Sequence, residues 1–207
     1  MPKKNRPSLH LALSALLLPL ALSCPTDSQA QAKPEAKAEA NPQVKLEPKF
    51  SKPGLVTAVG QSSDIAVVKA LLNTKLKLGL EIKPMAQPAD LASCKTVVMV
   101  LGASTKGMGS AGLDLDKEME RAKILVKAAK EKGIKILGLH VGGESRRGKT
   151  TNDLLEIVLP ECTHIVVVAS GNKDKLFNTL AAKNSVPVTE VPNLAAAGDT
   201  VKALFQE

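Results

Sequence analysis

From residue 54 to the end of the chain, short and nearly continuous apolar runs alternate with amphipathic stretches. The runs predict strands at Leu55–Val59, Leu80–Met85, Thr96–Leu101, Ile134–Val141, His164–Ala169 and Val186–Val191. Between them the spacing predicts helices over Ser63–Lys75, Asp114–Lys132, Asn152–Leu159, Lys173–Lys183 and Ala195–Phe205. This βαβα rhythm implies a doubly wound α/β fold, a parallel sheet with helices on both faces. The longest helix has the clearest limits. Asp114 is placed to cap it, Asp116 sits in its positive first turn, and Gly133 can take the left-handed position past its end. Leu115, Met119, Ala122, Val126 and Ala129 form its apolar stripe, with Lys117, Glu120, Lys127 and Lys130 facing water.

Strand composition also orders the sheet. TVVMVL and HIVVVA suit central strands buried on both faces. LEIKPM and VPVTEV carry Pro84 and Pro187, and a residue that cannot donate to a ladder belongs at an edge. The Rossmann order 3-2-1-4-5-6 would strand the very apolar third strand at an edge. The flavodoxin-like order 2-1-3-4-5-6 puts both proline-bearing strands there and is the expectation.

That order locates a candidate site. Ligands of open α/β sheets bind beside the point where strand order reverses, at the carboxyl ends of the strands. The loops expected there hold Gln61, Ser62 and Ser63 after the first strand. After the third come Ser104, Thr105, Lys106, Gly107, Gly109 and Ser110, and after the fourth Arg146 and Arg147. Glycine-rich backbone, hydroxyls and cationic side chains in one place can cradle a small anion. Cys94 and Cys162 are expected at the opposite edge as buried thiols. A strand between them would hold them about 9–10 Å apart, too far for a disulfide.

Two motif matches do not carry over into chemistry. Gly143 to Thr150 fit the P-loop pattern GxxxxGK[ST] between a strand and a helix. Two arginines and a glutamate fill its variable positions, and no strand ends in an acidic residue to hold magnesium. Gly107 to Gly112 fit GxGxxG, but they stand several residues from the strand end, and the next strand ends in His140-Val141 without an acidic ribose ligand. No cofactor is therefore expected. Gly60-Gln61-Ser62 has a faint likeness to a nucleophile elbow, which leaves a hydrolase using Ser62, His140 and Asp64 as an alternative function. His164 falls at the far edge, so no metal cluster is expected.

Ahead of residue 54 the pattern is different. Lys3, Lys4 and Arg6 precede an apolar stretch, Leu9 to Leu22, that is too short to span a bilayer. Small residues with cleavage-like sites ending at Ala30 and Ala32 follow, so residues 1–32 are read as a secretory signal peptide. Ala21-Leu22-Ser23-Cys24 is similar to a bacterial lipobox, which makes a lipid anchor at Cys24 the alternative route to a membrane. Residues 33–53 are rich in Ala, Lys, Glu and Pro and are read as a disordered tether. The protein is thus expected to be exported to the periplasm or cell envelope, with residues 54–207 as one domain.

Composition narrows the partners. The chain has 28 basic and 20 acidic residues, a net charge of +8, and part of that surplus lies in the leader and tether. It has no Trp or Tyr and three Phe, so it lacks the stacking platforms of single-stranded nucleic-acid sites. No nucleic-acid partner is expected. A small anionic ligand, with a transporter or sensor as the protein partner, is the leading expectation, and a protein-interaction domain is a further alternative.

The runs GQSSDIAVVKALL, LGASTKGMGSAG and LHVGGESRRG resemble an uncharacterised family of secreted bacterial domains known only as a domain of unknown function. The resemblance covers about residues 54–207. It brings neither an activity nor a ligand, so no residue takes a role from it.

Overall fold

A computed structural model of the chain describes Glu47 and residues 49–205. The predicted signal peptide, Cys24 and the tether as far as residue 46 lie outside the described residues. Six strands form one parallel sheet: β1 (Gly54–Val59), β2 (Glu81–Ile82), β3 (Thr96–Leu101), β4 (Lys135–His140), β5 (His164–Val168) and β6 (Val188–Val191). Their order is β2-β1-β3-β4-β5-β6, the doubly wound flavodoxin-like arrangement, with the edge strands β2 and β6 flanked by Pro84 and Pro187. The helices are α1 (Asp64–Lys69), α2 (Thr105–Ser110), α3 (Leu115–Glu131), α4 (Lys149–Val158), α5 (Leu176–Ala182) and α6 (Leu194–Leu204).

Side chains of successive strand residues point to opposite faces, and each face meets its own helical layer. Val97, Met99 and Leu101 of β3 pack with Ile136, Ile165 and Val167 beneath α3, α4 and α5. Val98 and Val100 pack with Leu137, Leu139 and Val166 beneath α1 and α6. β1 and β3 run in register over six pairs, from Gly54 opposite Thr96 to Val59 opposite Leu101. This pairing brings the loops after β1 and β3 to the same edge.

Several local expectations need correction. β2 ends three residues short of the predicted Met85, because the chain turns there: the Lys83 carbonyl accepts from Ala86 N at 3.2 Å. The chain stays beside β1 through the Pro84 carbonyl, which accepts from Ala58 N and Thr57 Oγ1, both at 3.1 Å. The latter half of the first predicted helix, Ala70–Lys75, is wound as a π-helix. The segment 102–112, expected as loop, contains α2, because Ser104 Oγ caps it by accepting from Gly107 N at 3.1 Å. The domain also begins before residue 54: Phe50 is 1% exposed and stacks on Phe205, with ring centroids 5.8 Å apart. Residues 49–53 are therefore not tether. Among the described residues Cys94 and Cys162 are both free thiols, but Cys94 is only half-buried, whereas Cys162 is buried. Burial raises the pKa of both thiols, so neither is a reactive thiolate at neutral pH.

On α3 the expected apolar stripe is interrupted. Glu118 and Arg121 face the sheet, with Glu118 0% exposed. Glu118 Oε1 accepts from Gly60 N at 2.7 Å and from Arg121 Nη2 at 2.7 Å, while Oε2 accepts from Arg121 Nε at 2.8 Å. Arg121 also donates to the carbonyls of Ala58 (2.6 Å) and Ala86 (3.0 Å). The pair thus ties α3 to the end of β1 and to the chain beyond β2. Removing one partner of such a pair leaves an uncompensated buried charge, which typically costs about 3–5 kcal/mol. Urea unfolding of Glu118→Ala is expected to show a loss of that size. A Glu118→Leu/Arg121→Met double variant should recover a substantial part of it.

Two buried histidines make stability depend on pH. His164 accepts from Lys49 Nζ at 3.3 Å on Nδ1 and can donate through Nε2 to Thr189 Oγ1 at 2.8 Å, a neutral-ring arrangement. Burial, reinforced by the Lys49 charge, pushes its pKa from the ordinary 6.5 to about 4. Burial lowers the pKa of His140 as well. Both rings bind protons more readily unfolded than folded, so their contribution is present above about pH 6.5 and is lost as pH falls toward 4. Unfolding free energy measured between pH 7 and pH 4 should fall, and His164→Gln should make that decline shallower.

Candidate functional site

The site at the switch point is built from three chain reversals. After β1, Gly60 adopts φ +96° and Gln61 φ +53°. A β-carbon on Gly60 would lie 2.6 Å from Ala103 Cα and from the Gly102 carbonyl oxygen, so only glycine fits where the two loops cross. Gly60 O accepts from Ser104 N at 2.8 Å, and Val59 O accepts from Gly102 N at 3.0 Å. Gln61 Nε2 donates to Glu118 Oε1 at 3.2 Å, which turns that side chain toward the buried pair.

The loop after β3 has already spent many of the donors expected for an anion. Gly107 N donates to the capping Ser104 Oγ, and Ala103 N donates to Thr151 Oγ1, both at 3.1 Å. Gly107 is packed against the Gln61 carbonyl so closely that a β-carbon would overlap it. Thr105, Lys106, Gly109 and Ser110 lie on the exposed side of α2. They share the edge with the site, but no hydrogen bond joins their side chains to it among the described residues.

After β4 a 3-10 turn, Gly143–Arg146, delivers two arginines with different destinations. Arg147 has extended backbone, φ −95° and ψ 150°, so its side chain leaves in another direction from that of Arg146. Arg147 donates to Asn152 Oδ1, to the Gly171 carbonyl and bidentately to Asp174 at 3.0 and 2.8 Å. Its guanidinium also lies 5.5 Å from the Phe177 ring centre. It therefore braces the neighbouring β4–β5 edge, beside a cavity of about 260 Å³ that it lines with Glu144, Asn152 and Asp174. A roomier depression of about 630 Å³ lies between α1 and α6 and is lined mainly by Ala66, Val67, Ala70 and Leu71, away from all of this chemistry.

Arg146 instead reaches across the switch point. Its Nε donates to Asp64 Oδ1 at 3.1 Å and its Nη2 to Ser63 Oγ at 3.0 Å. Nη1 has no partner among the described residues. Asp64 is 7% exposed, and its Oδ2 is buried with no hydrogen-bond partner among those residues. Gly102 and Gly142 close over this carboxylate: a β-carbon on either would stand 3.1 or 2.5 Å from Oδ2. Ser62 is buried beside it, its Oγ accepting from Asp64 N at 3.3 Å. Gln61, Ser62, Ser63 and Arg146 thus meet at one edge of the sheet. Asp64, expected only as a member of the hydrolase alternative, lies at their centre; an acidic residue opening α1 at the switch point is the signal in the sequence that marks it.

The remaining candidates are held elsewhere. His140 Nδ1 lies 2.8 Å from the Leu101 carbonyl and Nε2 3.1 Å from that of Gly143. No hydrogen bond joins it to Ser62, so Ser62, His140 and Asp64 are not connected as a triad. Lys149 pairs with Asp153 at 2.8 Å on the surface and does not face a P-loop cradle. Among the described residues no cluster of three or more His, Cys, Asp or Glu could hold a metal ion.

Fold and site together define a doubly wound parallel α/β domain with a compact ionic site at its switch point. The chain belongs to a family described only as a domain of unknown function, DUF6305, whose model matches residues 51–205. No curated protein matches it.

The divergence of the two arginines is open to measurement. Hydrogen bonds to charged groups contribute about 1.5–3 kcal/mol each. Arg147→Ala should therefore lower unfolding free energy by at least about 2 kcal/mol, and the Asp174 carboxyl, which Arg147 holds below its ordinary pKa, should rise in NMR titration.

Proposed function

We propose that this domain is an exported, non-enzymatic binding module for a small anionic solute, held at the carboxyl ends of β1, β3 and β4 and passed to or sensed by a transporter or sensor. One observation carries the reading. The Arg146 guanidinium is oriented across the switch point by Asp64 and Ser63 while Nη1 keeps its donors unspent among the described residues. A pre-oriented guanidinium fork matches the acceptor geometry of carboxylates and phosphates. Ser63 Oγ, which accepts from Arg146, retains its own proton for a ligand. Export rests on the pattern of residues 1–32. The hydrolase alternative gains nothing here, since His140 is turned to two backbone carbonyls and Asp64 to Arg146.

Amide NMR titration with inorganic phosphate and with propionate tests this. At least one of the two anions is expected to perturb Gly60–Asp64 and Gly142–Arg147, with affinity falling as salt is added. Arg146→Lys keeps a charge opposite Asp64 but loses the fork, and should weaken that binding about tenfold or more. Unchanged affinity in Arg146→Lys would remove the proposal.

A further inference from the structure

The orphaned oxygen of Asp64 narrows the kind of anion, an inference that rests on the anion-binding reading above. A buried carboxylate oxygen without a donor is costly, and folded proteins leave few of them without a reason. Asp64 Oδ2 is such an atom, and it lies within the same carboxylate whose Oδ1 accepts from Arg146 Nε. The two groups make opposite demands. Arg146 can only donate, and an ionised Asp64 can only accept. A bare anion satisfies the arginine and is repelled by the aspartate. A metal ion satisfies the aspartate and is repelled by the guanidinium, whose Nε is 3.1 Å from Oδ1.

The geometry points to a site selective for anions that carry their own hydrogen-bond donor, such as hydrogen phosphate or a small hydroxy or amino acid. The negative oxygens of the ligand meet Arg146 Nη1, and its O–H or N–H donates to Asp64 Oδ2. The covering groups suit such entry. Gly142 lies over Oδ2 with no side chain, and a β-carbon there would clash with both Asp64 and Arg146. Arg146, whose side chain is 29% exposed, forms the solvent side of the cover. Because Oδ2 is buried, a ligand reaches it only where the Arg146 side chain and the Gly142 backbone give way.

Twin ligands test the selectivity on the intact purified chain by amide NMR titration. Phosphate and sulfate share size and shape, and sulfate carries at least as much charge, so simple attraction to arginine does not favour phosphate. Propionate, lactate and alanine share a three-carbon frame and differ in donor. The expected result is at least a tenfold preference for phosphate over sulfate, or for lactate or alanine over propionate. Which comparison responds identifies the source of the donor. Asp64→Asn keeps an oxygen for Arg146 and replaces the other acceptor by an amide donor, so it should abolish the preference. Equal affinity within every twin set in the wild type overturns the inference by itself, however the variant folds. A preference that survives in Asp64→Asn also overturns it. If the twins bind alike but weaken together in Arg146→Lys, the anion reading stands and only the donor requirement falls. If no probe perturbs the site, both fall.

Discussion

The switch-point edge of this domain is organised around Glu118 and Arg121, an ion pair cut off from solvent by the sheet on one side and α3 on the other. Every oxygen of the carboxylate is satisfied, by Arg121, Gln61 and the Gly60 amide, and the guanidinium also binds two carbonyls from separate segments. Taking two charges out of water is offset only when geometry is good and the remaining polar atoms are paired. Here the pairing involves the end of β1, the chain beyond β2 and α3 together. The left-handed Gly60–Gln61 turn therefore has one position available to it, and the Ser62–Asp64 segment that follows begins from a rigid start.

A second ionic pair sits a few residues away under different rules. Asp64 and Arg146 also meet across loops, but Arg146 is partly solvated and neither group has spent all its capacity. The fully satisfied pair suits a structural brace, because any loosening would strand a charge. The incompletely satisfied pair is suited to exchange partners, because a ligand that supplies both an anion and a donor can replace what the protein leaves unmet.

The adjacent arginines after β4 show how a single backbone conformation divides roles. Arg146 closes a 3-10 turn and Arg147 is extended, so one guanidinium crosses toward β1 and the other enters the β5 side and lies near Phe177. Two like charges in sequence thereby avoid each other and each acquires an acidic partner, Asp64 or Asp174. His140, beneath the same turn, lies against the Leu101 and Gly143 carbonyls, to one of which its neutral ring donates, and supports the loop from below.

The α/β class and the strand order were legible in the residues alone, because these follow from apolar periodicity and from the preference of proline-bearing segments for sheet edges. The sequence also marked the Asp114 cap and the Gly133 stop, which depend on neighbouring residues alone. It could not separate Arg146 from Arg147, whose sequence contexts are nearly the same. Nor could it reveal that Glu118 and Arg121 are buried, since a charged pair three apart on a helix reads as a solvated face. Those outcomes depend on partners far away in the chain: Gly60, Ala58 and Ala86 for the buried pair, Asp64 and Asp174 for the arginines. Only the tertiary fold brings these partners within hydrogen-bonding distance, and only there does desolvation decide which charges are fully paired and which keep unspent capacity.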